Sequence, residues 1–103
     1  MKSFSLIILF DLLFAANVGK IVGRITDLES GKPLIGANVI IEDIYQGSTT
    51  DESGDFSILN VHPGSYTISI SYIGYEIVSQ VGLKVNSDKT THIDKALKKE
   101  VIK

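Results

Sequence analysis

Asp51, Ser53 and Asp55 stand at alternate positions around Gly54, an oxygen-rich spacing of the kind that hard cations such as calcium require. The later bidentate glutamate of the known calcium loop is missing, however. The same residues suit a tight turn better, with Asp51 accepting backbone N–H groups as an Asx-type cap and Gly54 taking a positive φ. His62 and His92 could begin a zinc site, yet neither sits in an HxxxH or HExxH pattern and the chain has no cysteine to join them. His62 precedes the Pro63-Gly64 turn and His92 falls on the outward side of a strand pattern, so both read as solvated. There is no Gly-x-Ser-x-Gly turn to expose a serine nucleophile, and Ser65, Ser69 and Ser71 form the polar side of a strand. Lys20 near the start and Asp94 near the end raise a self-formed isopeptide link as in some pilin-like sandwiches, but an exposed lysine and aspartate are ordinary. Tyr45, Tyr66, Tyr72 and Tyr75 could stack on sugars. Parity puts Tyr66 and Tyr72 on the core side with hydroxyls at the rim, which leaves Tyr45 and Tyr75 as the exposed aromatics. No catalytic, cofactor-binding or metal-binding residue is assigned.

The elements that must carry these residues are short strands. Lys20–Asp27 alternates, with Ile21, Gly23 and Ile25 on one face, Arg24 and Thr26 on the other, and Val22 as a misfit. Turn residues fill Leu28–Pro33. Ala37, Val39 and Ile41 share the inward face of a second strand, and Gly47–Thr50 forms a short third leading into the Asp51–Gly54 turn. Phe56 and Ile58 face inward, with Val61 rejoining them through a bulge or a strand end. After Pro63-Gly64, Tyr66, Ile68, Ile70 and Tyr72 alternate with Ser65, Thr67, Ser69 and Ser71, the clearest strand of the chain. Ile77–Val85 and Thr91–Leu97 supply two more, the last with Ile93 and Leu97 inward. Seven short strands cannot bury both faces of a single layer, so the expected fold is all-β, a seven-stranded antiparallel sandwich of two sheets.

The 103 residues allow one domain. Met1-Lys2-Ser3, the apolar run Phe4–Phe14 and Ala15-Ala16 have the layout of a secretory signal, with residues 1–16 removed, although Asp11 interrupts the run and Phe14 is bulky for its place before the cut. The run is shorter than the roughly 20 residues of a membrane-spanning helix. The domain proper is expected over 17–97, with 98–103 as a tail or linker. Lys2 and Asp11 leave together, so the net charge of −2 is unchanged by cleavage, and nothing points to nucleic acid or an anionic membrane surface. Without cysteine, lipid attachment at a cleaved cysteine and disulfides are excluded and stability rests on the core.

Gly23-Arg24-Ile25-Thr26-Asp27, Ser30-Gly31-Lys32-Pro33-Leu34-Ile35-Gly36-Ala37-Asn38-Val39, Thr50-Asp51-Glu52-Ser53-Gly54-Asp55-Phe56, Pro63-Gly64-Ser65-Tyr66 and Ile73-Gly74-Tyr75, in this order, closely resemble the carboxypeptidase regulatory-like domain family. The resemblance covers about Gly19 to Leu97. It implies a prealbumin/transthyretin-like (Ig-like) sandwich and no cofactor. It further implies the periplasmic segment at the N-terminus of TonB-dependent outer-membrane receptors of the Bacteroidetes type, between signal peptide and plug. The expectation is therefore an exported, non-catalytic interaction module, in the periplasm or at the outer membrane and accessory to nutrient uptake. Its partners would be envelope proteins: the receptor's plug and barrel and the TonB apparatus. The alternatives are a carbohydrate-binding module, with Tyr45 and Tyr75 as its discriminating residues, and an accessory domain of a metallocarboxypeptidase.

Overall fold

The structure, a computed structural model, describes residues 17–101. The expected signal segment and the last two residues of the tail lie outside the described residues. Eight strands follow one another: β1 (Gly19–Asp27), β2 (Asn38–Ile41), β3 (Gln46–Thr49), β4 (Asp55–Val61), β5 (Gly64–Ser71), β6 (Val78–Val85), β7 (Thr90–His92) and β8 (Lys95–Leu97). They form two four-stranded sheets. One has the order β4-β1-β7 with β8 also on β1, and the other the order β3-β2-β5-β6. The expected all-β sandwich is the fold.

The inward parities predicted from alternation are those that make the core. Ile21 and Ile25 of β1, Val39 and Ile41 of β2, Ile68 and Ile70 of β5, together with Ala37, Val61 and Leu97, are wholly buried, and Phe56, Ile58, Leu83, Val85 and Ile93 nearly so. The opposite face of the second sheet carries small polar residues: Ser69 pairs with Ile40 on one side and Ser79 on the other, and Ser71 pairs with Asn38. Val61 does rejoin the core through a bulge. Two steps along β1, Gly19 to Ile21, are matched by three along β4, Val61 to Ile58, and Asn60 takes the positive φ of 57° that absorbs the extra residue.

The last strand differs from expectation in two ways. Thr91–Leu97 reads as one strand, but it is broken into β7 and β8, and both run parallel to β1. The physical reason is Gly23. A β-carbon at that position would collide with the carbonyl oxygen of Ile93, so the returning chain crosses directly over a bare Cα. The ladder is bridged at the break: Ile93 N–H donates to Val22 O at 2.9 Å, and the Arg24 N–H, which would have sought a carbonyl, donates to the Asp94 carboxylate at 2.9 Å. Ile93 thereby enters the core while β7 and β8 keep their parallel register on either side of it.

Gly23→Ala should consequently lower stability by about 1–3 kcal/mol or more, as overpacking against an immovable backbone does, read as the midpoint of urea unfolding. An unchanged midpoint would show that Ile93 can step aside without cost.

Candidate functional site

The Asp51–Asp55 turn is built as a cap. Asp51 Oδ1 accepts the N–H groups of Ser53 and Asp55, each at 2.9 Å, and Asp51 O accepts that of Gly54 at 2.9 Å. Gly54 has φ 78°, and a β-carbon there would stand 2.6 Å from Ile25 O, so both the turn and the packing call for glycine. The Asp55 carboxylate is occupied as well. Arg24, its cross-strand neighbour on β1, donates to it through Nε at 2.8 Å and a terminal nitrogen at 3.4 Å. That hydrogen bond and charge hold the Asp55 carboxyl below the usual range and raise the guanidinium. Both side chains are about half exposed, so the pair contributes little to stability.

Arg24, Asp55, His92 and Asp94 surround an open hollow of about 380 Å³ on the outward face of β1. Its charged groups already have partners within the fold: Asp55 holds Arg24, and Asp94 holds the Arg24 N–H. His62 is not brought to it. His62 follows β4 and His92 ends β7, strands that flank β1 on opposite sides, about 10 Å apart at the usual strand spacing. Lys20 and Asp94 are likewise apart. Lys20 pairs with Thr90, and Asp94 sits beside Arg24, about 13 Å further along the strand. Both are exposed.

Of the tyrosines, Tyr45 is exposed, at 91% of its surface, in the β2–β3 turn. Tyr75 departs from expectation. It is half-buried, its ring tilted against that of Tyr72 with centroids 5.4 Å apart, and its hydroxyl donates to Asp27 Oδ2 at 2.5 Å. Gly74, at φ 85°, turns the chain back so that Tyr75 can reach the end of β1. The two tyrosines lie at opposite ends of the second sheet, because β2 runs antiparallel to β5 with Asn38 opposite Ser71 and Ile41 opposite Ile68. They do not form one stacking platform.

Two polar groups that the sequence reading passed over hold the turns together. Asp27, 5% exposed, accepts the N–H groups of Glu29 at 2.8 Å and Ser30 at 2.9 Å on Oδ1 and the Tyr75 hydroxyl on Oδ2. Thr50, also 5% exposed, donates through Oγ1 to Leu34 O at 2.5 Å and accepts from Ala37 N at 2.8 Å. The available signal for Asp27 was parity, since it continues the inward series Ile21, Gly23, Ile25. A carboxylate on a core face needs several donors.

Comparison with known proteins places this framework. The family model described as CarboxypepD_reg-like domain matches residues 21–103. The chain belongs to that family. The CarboxypepD_reg-like chain is 36% identical over 77 residues to TonB-dependent receptor P39 of Formosa agariphila, covering 72% of this chain and 7% of the receptor. Among solved structures it is similar to a chain of a type II cohesin–X-dockerin complex from Acetivibrio cellulolyticus, with TM-score 0.65 and 22% identity over 74% of this chain and 51% of that one. It is also similar to the minor pilin of Streptococcus agalactiae, with TM-score 0.58 and 16% identity over 86% and 48%. At these identities the structural likeness is one of fold. The chain spans about half the length of the solved chains and a small fraction of the receptor.

The Asp27–Tyr75 bond gives the CarboxypepD_reg-like domain a two-sided pH dependence. Chiefly through the Tyr75 hydroxyl and then the Ser30 N–H, the Asp27 carboxyl is held at about 2 instead of 3.8. Its stabilising share is therefore complete above about pH 4 and is lost as pH falls toward 2. The same bond raises the Tyr75 phenol from 10.0 to about 12, so that share is complete below pH 10 and is lost as pH rises toward 12. Urea unfolding across pH should show Asp27→Asn less stable than the parent at neutral pH, with the gap closing at the acid end. Tyr75→Phe should likewise differ least from the parent at the alkaline end. A gap that stays constant across pH would sink the assignment.

Proposed function

We propose that this chain is a non-catalytic interaction module of the cell envelope, equivalent to the periplasmic N-terminal domain of a TonB-dependent outer-membrane receptor and accessory to nutrient uptake. The observation that carries the reading is the 36% identity to a TonB-dependent receptor over 77 residues. The geometry supports it. Asp27, Thr50, Asp51 and Asp55 are engaged by the fold's own turns and strands, and the residues that would carry a metal, an isopeptide or a sugar platform stand apart. What the scaffold offers a partner is its loops and strand edges, as rigid sandwiches do. Its partners on this reading are the receptor's plug and barrel and the TonB apparatus. Residues 1–16 act as the export signal, and Asn17, whose side-chain oxygen accepts the Ser87 hydroxyl at 2.5 Å, becomes the first residue of the exported form.

The protein carrying a C-terminal affinity tag and made in its own host should appear in the envelope fraction with Asn17 as its N-terminal residue. After mild cross-linking it should co-purify with an outer-membrane TonB-dependent receptor identified by mass spectrometry. Retention in the cytoplasm, or no receptor above a tag-only control, would remove the reading.

A further inference from the structure

The four lateral edges of the two sheets are not alike. β3 is four residues long, and Gln46 Nε2 reaches across it to Leu59 O on β4 at 2.6 Å. That contact covers the facing corner of both strands. β7 and β8 are three residues each; Lys89 and Asp94 flank them and Lys95 opens β8. β6 is eight residues long, and from Ile77 to Leu83 it carries neither charge nor proline. Among the described residues β6 pairs with β5 alone. Among the described residues its other edge is tied only at the ends, where Glu76 N–H donates to Lys98 O at 2.8 Å and the Thr91 hydroxyl donates to Lys84 O at 2.9 Å. Between these ties the side of the main chain facing away from β5 has no partner among the described residues. The side chains beside it are apolar and exposed, Ile77 at 69% and Val81 at 80%, with Ile73 at 91% where the edge begins. Native edges are usually blunted by lysine, proline or shortness; here the one lysine, Lys84, stands at the tied end, and the stretch from Ile77 to Leu83 has neither lysine nor proline.

We infer that the β6 edge between Ile77 and Gly82 is a docking site for an extended, uncharged strand of a partner polypeptide, added to the sheet by main-chain pairing. An alternating row of free N–H and C=O groups is matched only by another extended main chain. The absence of charge from Ile77 to Leu83 and the exposed Ile77 and Val81 require apolar or small polar side chains on that strand. The end ties limit it to about six residues, or about 20 Å. A second copy of this chain fits less well. β6 bulges between Gln80 and Leu83, with Gly82 at φ 77°, so a two-fold pairing would set each bulge against the partner ladder. The stretch is also too short for the roughly 800 Å² per partner of a stable dimer. The inference rests on the interaction-module reading and names the surface that reading leaves open.

The test uses the 15N-labelled protein purified from the envelope fraction, with a capped threonine–valine hexapeptide of alternating sequence as probe. Peptide addition should shift the resonances and slow the amide exchange of Ser79 to Gly82. N-methylation of alternate peptide nitrogens should abolish the effect, and Val81→Lys, at an exposed position that does not threaten folding, should weaken binding roughly tenfold. No change at millimolar peptide, changes confined to other strands, or peptide-free dimerisation through β6 in sedimentation would each overturn the assignment. The cross-linking capture separates the two readings. If Val81→Lys recovers the receptor as well as the parent does, the β6 proposal falls and the module reading stands; if the parent recovers none, the module reading falls by itself.

Discussion

The carbonyl of Ile93 lies where a β-carbon at residue 23 would stand, and the sandwich closes through that approach. β1 is the inner strand of its sheet, and its second side has to be filled by the far end of the chain running parallel. Parallel pairing is slightly the weaker kind and joins segments about 70 residues apart, which makes its closure entropically costly. Three devices offset this. Gly23 gives clearance, Asp94 supplies the acceptor that the broken ladder lacks, and Ile93 and Leu97 are both buried in the core. With no cysteine to staple the ends, closure rests on burial of these two side chains, the parallel ladder and the hydrogen bonds beside it.

The polar interior follows from the same economy. Among the described residues no buried side-chain polar atom lacks a partner, and the two buried polar residues each satisfy main-chain groups of a turn that leaves the sheet. Thr50 holds the Leu34–Ala37 connection, so the third strand ends one residue before the Gly47–Thr50 pattern suggests. Asp27 holds the Leu28–Gly31 turn and, through Tyr75, the β5–β6 connection. Leu28 N–H in turn donates to Leu97 O. The turn after β1 and the loop after β5 thus meet at one carboxylate, with the end of β8 bonded to the main chain beside it. That is a charge-assisted joint, stronger than neutral bonds would be.

Much of this was legible because side-chain alternation is a local signal. The inward sets of β1, β2, β4 and β5, the bulge before Val61 and the Asp51–Gly54 cap all follow from residue order over a few positions. What was not legible depends on residues distant in sequence. The direction of the last strand and its break at Ile93–Asp94 are set by Gly23, some 70 positions earlier. Parity assigns Tyr66 and Tyr72 to the core side and leaves Tyr75 among the exposed aromatics, whereas its hydroxyl is drawn in by Asp27, 48 residues away. For the candidate sites, composition names the members of each motif, but only the fold decides which of them meet. It separates His62 from His92, Lys20 from Asp94 and Tyr45 from Tyr75.

A framework in which the conspicuous polar residues are consumed by closure leaves function to features that make no sequence motif. The β6 edge is such a feature: what distinguishes it between Ile77 and Leu83 is what it lacks, namely charge, proline and, among the described residues, a second neighbouring strand. Such an edge is a hazard in a free-standing protein, because it can template aggregation. Its persistence from Ile77 to Gly82 is easier to understand if the edge spends its working life covered. The bulge at Gly82 limits register, and the ties at Glu76 and Lys84 limit length. The slot left between them is specific for a short strand and poor at nucleating an open-ended ladder. The closure of the sandwich thereby also delimits its free edge, since both ties are made by the same C-terminal segment that Gly23 admits to β1.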